Sequence, residues 1–271
     1  MPSVGTPAAT TTTTLIAQEA TKCDNRLRLP GDVPFALPQV VYSLNASLSQ
    51  LEAEQLEKCT RAQSKSDIWN NERKRRLTAS KFGHVCRKMT NIDKYPNKEI
   101  TPESVSAIYT PKSFTSRFTS YGISSECLAL EEYCKATGNH VHPCGLVVNP
   151  AMPFLGASPD GLVCNGLTMG IIEVKCPYLA RDMTPAEATG QLKKFCLELS
   201  PATGELELQQ NHDYYHQVQG QLMVTGADFC DFVVYTSKGL NIQRIVPCQQ
   251  FMEDMFMQLY RFHHGYGALI L

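Results

Sequence analysis

The sequence predicts an α/β (α+β) domain with a central mixed sheet flanked by helices, and three observations carry that expectation. Helical periodicity dominates up to Gly138; short strand-like segments bounded by Pro, Asn or Gly follow; helices and a strand pair close the chain. With 271 residues, 43% apolar and 19% charged, the chain can bury a sizeable core in one large domain or two small ones. The same balance excludes fibrous and wholly disordered classes. No window approaches the roughly 18 apolar residues of a membrane-spanning helix, and residues 1–14 lack the cationic and apolar regions of a signal peptide. A soluble, intracellular protein with no membrane partner is therefore expected.

Taken in order, residues 1–22 have the small, polar composition of a flexible tail, with an unbroken threonine run from Thr10 to Thr14. Residues 23–65 form a second segment. Pro30, Pro34 and Pro38 forbid regular helix or central strand there and suggest an extended arm. Ser49 to Gln63 then reads as a helix, with Ser49 and Glu52 at the spacing of a capping box. From Arg61 to Met89 nine Lys or Arg face only Asp67 and Glu72, a local excess of seven positive charges in a chain of net charge −1. Such a run suits either a solvated helix face or a phosphate-binding patch. Within it, Thr78-Ala79-Ser80-Lys81-Phe82-Gly83 reads as a turn into a helix, with Thr78 and Ser80 as candidate caps near Arg73.

A polar connector runs through Lys112, and Tyr121 to Thr137 has helical spacing with Gly138 as its stop. Strands are expected at 141–148, 154–157, 161–164 and 170–175, helices at 185–197 and 212–225, a strand pair at 229–236 and 239–246, and a last helix at 249–263. The eleven cysteines contain no C-x-x-C pair, which fits reduced, mostly buried thiols. His140, His142 and Cys144 alternate along one strand face but have no fourth ligand at useful spacing, so they are read as structural.

The stretch richest in chemistry is Ser158-Pro159-Asp160-Gly161-Leu162 followed by Ile171-Ile172-Glu173-Val174-Lys175. A hairpin turning at Asn165-Gly166 would bring Asp160 and Glu173 onto neighbouring strands, while Glu173 and Lys175 share a strand face. Paired carboxylates hold Mg²⁺ with waters left in place, and a nearby ammonium orients or deprotonates one of those waters for attack on a phosphodiester. The plainer alternative is a surface salt bridge. The apolar Ile171, Ile172 and Val174 argue against it, because charges at the end of a buried strand need a reason.

These segments resemble the PD-(D/E)xK nuclease superfamily, and within it the YqaJ-like viral recombinase and phage lambda exonuclease family. Leu77-Thr78-Ala79-Ser80, Tyr121-Gly122 with Glu126, the Asp160 and Glu173-Val174-Lys175 segments, and Tyr214-Tyr215-His216-Gln217-Val218-Gln219 occur in the family's order between Trp69 and Tyr235. The resemblance implies a restriction-endonuclease-like core in a nuclease domain spanning 66–271. Asp160, Glu173, the Val174 backbone carbonyl and Glu126 then look like metal ligands. Lys175 looks like the residue that positions or activates water, Gln217 completes the site, and Arg73 with Ser80 matches the pair that takes a DNA 5′ phosphate. The implied cofactor is Mg²⁺, with Mn²⁺ as a substitute and one or two ions per site.

The implied activity is 5′-phosphate-guided 5′→3′ exonuclease action on duplex DNA linked to recombination. An endonuclease or nickase using the same site, or a catalytically silent DNA-binding module, is the alternative. Implied partners are DNA and a single-strand annealing protein or recombinase, with a ring-type homo-oligomeric trimer known from relatives. The implied compartment is the nucleus in a eukaryotic or viral host and the cytoplasm otherwise. One departure stands out. Some relatives carry another acid about ten residues before the motif aspartate, where this chain has Asn149-Pro150, which makes a second metal less well supplied.

Overall fold

A computed structural model describes residues 29–37, 48–97, 100–110, 116–165 and 168–267. The expected tail lies outside the described residues. The expected arm is described over 29–37, where it has no regular structure but buries Leu29, Phe35 and Leu37 in the main core. Gly31 N–H donates to the Thr225 carbonyl at 2.8 Å, and the Asn149 side-chain amide donates to the Gly31 carbonyl at 3.1 Å.

Helix α1 (Gln50–Cys59) begins at Ser49 in the expected capping box with Glu52. Its last turn docks on the strand region. Glu57 accepts from Gly145 N–H at 2.9 Å and Thr60 from Leu146 N–H at 2.8 Å. Helix α2 (Asp67–Lys74) carries the centre of the basic run. The short strand β1 (Leu77–Thr78) and a 3₁₀ turn lead into α3 (Phe82–Lys94). The expected side-chain caps are not made here. Neither Thr78 nor Ser80 bonds a helix N–H; their hydroxyls instead meet each other at 3.5 Å. The tight turn commits Thr78 to pairing with β3 (Leu155–Gly156), which takes it away from the helix end. The polar connector contains a helix missed in the sequence, α4 (Pro102–Tyr109), capped by Thr101 with Pro102 in its first turn.

Helix α5 (Arg117–Thr137) starts four residues before its expected position and ends on Gly138 at φ 70°, the left-handed cap that glycine tolerates. The sheet has five strands in the order β2 (His140–His142), β4 (Gly161–Asn165), β5 (Thr168–Lys175), β8 (Phe229–Thr236) and β9 (Gly239–Ile245). It is mixed, as expected: β5 and β8 are parallel and the other neighbours antiparallel. The expected 141–148 strand is only β2 plus a single bridge from Val147 to Ala157, because β3 pairs with β1 and not with this sheet.

The expected 185–197 helix stops early as α6 (Pro185–Gln191). The chain then forms a small hairpin of β6 (Leu197–Leu199) and β7 (Leu206–Leu208), which the sequence reading missed. Helix α7 (Asp213–Thr225) and closing helix α8 (Gln249–Tyr266) match expectation closely. The larger core lies between the sheet and α3, α4, α7 and α8, and a second cluster of Ala129, Tyr133, Val163, Ile172, Val174, Phe229 and Val233 fastens α5 to the opposite face. Among the described residues no helix is long and apolar enough to cross a membrane.

Candidate active site

The β4–β5 hairpin places the first two functional carboxylates. Gly161 pairs with Ile172, so Asp160 sits just before β4 beside the Glu173 segment, as the spacing predicts. Asp160 N–H donates to the Ile172 carbonyl at 3.0 Å, and Asp160 Oδ2 accepts from Val174 N–H at 2.7 Å. This carboxylate therefore lies against the Val174 peptide. Two side chains far away in sequence lock the loop before it. Gln63 Nε2 donates to the carbonyls of Cys144 and Pro159, both at 2.9 Å, and Trp69 Nε1 donates to Ser158 Oγ at 2.9 Å. Gln63 holds a left-handed backbone at φ 45°, which a non-glycine residue adopts at a cost and keeps only where its surroundings fix it.

Glu173 is only 2% exposed and is the most heavily bonded carboxylate of the site. Its Oε1 pairs with Lys175 and accepts from Gln217 Nε2 at 2.5 Å, and its Oε2 accepts from Gln221 Nε2 at 2.6 Å. Gln217 Oε1 in turn faces Lys175 Nζ at 3.3 Å, and Lys175 Nζ sits 4.5 Å from the Tyr214 ring centroid. Gln217 and Gln221 are four residues apart on α7 and so share the face turned to β5. The same helix sits close against α3, because Gly220 packs directly under the Phe82 ring, where a Cβ would overlap it.

Glu126 arrives half-buried from α5. Burial, then the charge of Glu173, raises its pKa, and Asp160 is raised well above the ordinary carboxylate range by the same two causes in the same order. Lys175 is the opposite case. Burial disfavours its charge, but Glu173, Asp160 and Tyr214 outweigh that and its pKa is raised, so it stays an ammonium at neutral pH.

Asp160, Glu173, Glu126, Lys175 and Gln217 are thus brought together from two strands and two helices. As the side chains stand, no three His, Cys, Asp or Glu among the described residues converge as a ready ligand set, because Lys175 and two glutamines occupy the Glu173 oxygens. The donor set still suits a hard divalent cation. It is all oxygen, and beside burial the charge of Glu173 raises the pKa of both Asp160 and Glu126, a repulsion that a cation would relieve. The Gln221 side-chain oxygen is also buried without a partner, a position that water on such an ion would satisfy.

The basic run is less free than its charge count suggested. Arg61 pairs with Glu57, Arg75 and Arg76 with Glu72, and Arg87 with Asp213. Arg73 differs from these. Its guanidinium stacks over Trp69 at 4.1 Å and, among the described residues, forms no ion pair. Burial pushes its pKa down to about 10, partly offset by Glu173, so it remains a cation at neutral pH. Ser80 is exposed on the 3₁₀ turn beyond α2. Asn149 is spent on structure, donating to the Gly31 carbonyl while its Oδ1 accepts from Ala151 N–H at 3.0 Å.

The model of the YqaJ-like viral recombinase domain matches residues 68–228, a span that holds Arg73, Ser80, Glu126, Asp160, Glu173, Lys175, Gln217 and Gln221 but not Gln63. The chain belongs to that family. Among solved structures, an alkaline exonuclease (LHK-Exo) from Laribacter hongkongensis is 25% identical, covers 75% of this chain and 93% of its own, and superposes with a TM-score of 0.54. The same enzyme in complex with dAMP gives 0.55. The Shutoff and Exonuclease Protein of Kaposi's sarcoma-associated herpesvirus shares the fold at 12% identity and a TM-score of 0.52, covering 84% of this chain and 74% of its own. No curated protein gives a significant match.

The sequence alone assigned no role to Gln63, Trp69, Tyr214 or Gln221. Gln221 carried a usable signal, since it lies one helical turn beyond Gln217 on the same face. Gln63 and Trp69 carried none, because their partners, two backbone carbonyls for Gln63 and the Ser158 hydroxyl for Trp69, are distant in the chain.

Proposed function

We propose that this chain is a divalent-metal-dependent deoxyribonuclease that degrades one strand of duplex DNA from a 5′-phosphorylated end and leaves single strand for recombination. The observation that carries the reading is Glu173, buried at a strand end and fixed on both oxygens beside Asp160 and Glu126, in a member of a family whose relative is an alkaline exonuclease. A site of this kind is costly to bury and has no packing rationale.

Asp160, Glu173, Glu126 and the Val174 carbonyl would hold Mg²⁺, or Mn²⁺ in its place. With Asn149 committed to structure, one ion is better supplied than two. When bound, such an ion neutralises charge developing on the phosphate and makes its water a stronger nucleophile. Lys175, held as an ammonium, donates to the attacking oxygen and orients it without taking its proton. Gln217 keeps Lys175 and Glu173 in register. Arg73, a cation on an aromatic platform with no ion-pair partner among the described residues, takes the terminal phosphate together with Ser80. A single-strand annealing protein or recombinase would receive the product strand, and a ring-type homo-oligomer would keep the enzyme on its track.

The test is digestion of end-labelled linear duplex, with and without a 5′ phosphate, beside covalently closed circles. Wild type, Glu173→Gln and Arg73→Ala are compared in Mg²⁺. Consumption of 5′-phosphorylated ends, survival of circles, an inert Glu173→Gln and a loss of phosphate preference in Arg73→Ala are expected. Cleaved circles would replace the exonuclease by an endonuclease or nickase, and no cleavage by wild type in Mg²⁺ or Mn²⁺ would leave a DNA-binding module.

A further inference from the structure

Helix α7 carries three glutamines, of which the steps above use only Gln217. Every residue of the helix from Val218 to Thr225 is buried, so an amide in that stretch loses its water and must find partners within the protein. Gln219 finds them at both ends. Its Nε2 donates to the Val246 carbonyl at 3.0 Å and to the Tyr215 hydroxyl at 3.4 Å, and its Oε1 accepts from Cys248 N–H at 2.9 Å. These bonds tie α7 to the segment that joins β9 to α8. Gln221 is 1% exposed and is satisfied at one end only: Nε2 donates to Glu173 Oε2 at 2.6 Å, while Oε1 has no partner among the described residues.

Glu173 dictates the orientation of that amide. Carboxylate oxygens only accept, so the nitrogen must face Glu173 and the oxygen must face away; turning the amide over would set two acceptors together. The unpaired oxygen is thus a consequence of holding Glu173. The two oxygens of Glu173 are themselves held unequally. Oε1 meets Lys175 and Gln217, and those two also meet each other at 3.3 Å, so each keeps a partner if a cation competes for Oε1. Oε2 meets Gln221 and no other side chain among the described residues. Gln221 therefore stops the carboxylate from turning, and the free oxygen of the same amide faces a place where a donor is lacking. A cation of the Mg²⁺ type brings such donors, because it keeps several of its waters when carboxylates bind it.

We infer that Gln221 is a positioning residue of the nuclease site: its nitrogen fixes the Glu173 carboxylate, and its oxygen accepts a hydrogen bond from water that the divalent cation brings with it. The inference rests on the nuclease reading and deepens it. Gln221 acts through Glu173 and through water, and touches neither DNA nor the reacting phosphate. Groups that orient a ligand in this way set how tightly the metal is held and how well it is aimed.

The test titrates Mn²⁺ into the full chain without DNA and counts the unbound ion by its electron paramagnetic resonance signal. Binding that disappears in Glu173→Gln marks the site. Gln221→Met keeps the length of the side chain but offers neither the N–H nor the amide oxygen, and should weaken that binding about tenfold. Its kcat on 5′-phosphorylated duplex, at an Mn²⁺ concentration near the wild-type Kd, should fall about tenfold or more, while KM for DNA and DNA affinity in EDTA stay within about twofold of wild type. Gln221→Asn keeps an amide that is one methylene too short to reach Glu173 and should behave like Gln221→Met. Wild-type Mn²⁺ affinity and kcat in either folded variant would assign the free oxygen to a structural water and overturn the proposal. A loss confined to DNA affinity overturns it as well, and so does failure of both variants to fold, which would make the amide a part of the core alone. The two readings separate. A wild type that cuts DNA but binds Mn²⁺ no better than Gln221→Met removes this role and keeps the nuclease. One that binds Mn²⁺ through Gln221 and cuts nothing removes the nuclease and keeps the role, and one that neither binds nor cuts removes both.

Discussion

Arg244→Ala tests how α5, and with it Glu126, is fastened to the sheet. Asp231 lies in β8, is 2% exposed, and faces Arg244 directly across the antiparallel β8–β9 pair. The guanidinium grips it with two bonds, Nε to Oδ1 at 2.8 Å and Nη2 to Oδ2 at 2.9 Å, while Tyr133 of α5 donates its hydroxyl to Oδ2 at 2.5 Å. Asn139 closes the network by donating to the Tyr133 oxygen at 2.9 Å. Removing Arg244 leaves a buried carboxylate with one neutral donor. Breaking a fully buried pair in this way costs about 3–5 kcal/mol, and because the Arg244 side chain is 42% exposed and admits water the cost falls to or just below the bottom of that range, about 2–3 kcal/mol. For a domain of this size that is a fall of about 5–10 °C in Tm. Thermal and urea melts of Arg244→Ala, Asp231→Asn and the double variant measure it. The double variant should be more stable than Arg244→Ala alone, because the stranded charge has gone. An Arg244→Ala within about 0.5 kcal/mol of wild type, or strictly additive losses in the double variant, would refute the account.

Three further outcomes are expected. Gln63→Ala keeps the left-handed backbone of residue 63 but strips the donor from two carbonyls, so it should cost about 1–3 kcal/mol in urea melts and lower nuclease kcat more than DNA affinity, by loosening the Asp160 loop. A Cβ at Gly145 would overlap the Glu57 carbonyl oxygen, whereas one at Gly122 within α5 meets nothing within 4 Å. Gly145→Ala should therefore destabilise by about 2 kcal/mol or more and Gly122→Ala stabilise by about 0.5–1 kcal/mol, both read by denaturant melts. His263 stacks on Phe154 at 4.8 Å and bonds the Tyr109 hydroxyl at 2.8 Å. Burial, then His264, pushes its pKa from 6.5 down to about 4. The unfolded chain then binds a proton that the folded chain refuses, so stability is unaffected above pH 6.5 and falls as pH drops through the window down to about 4. The loss at pH 5 is about 1–2 kcal/mol after allowing for partial exposure, and His263→Phe should flatten that acid limb in melts run across the window.

Features whose partners lie nearby in the chain are legible in the sequence alone. The Ser49–Glu52 capping box, the Gly138 stop, the β4–β5 hairpin register that sets Asp160 beside Glu173, and the β8–β9 pair are each fixed by a period or a turn within a few residues. The motif residues were legible too, since Asp160, Glu173 and Lys175 share one hairpin. What crosses long loops was settled by the folded chain alone: the β1–β3 pairing, the early end of α6, the pairing of Arg87 with Asp213 that takes charge out of the basic run, and the Gln63 and Trp69 bonds that hold the Asp160 loop. Such contacts close loops of many residues and form only when the whole core supports them, so no local pattern encodes them. The assembly of Glu126, Gln217 and Gln221 around Glu173 is of the same kind. Its residue types are written in the chain, and their meeting is a property of the fold.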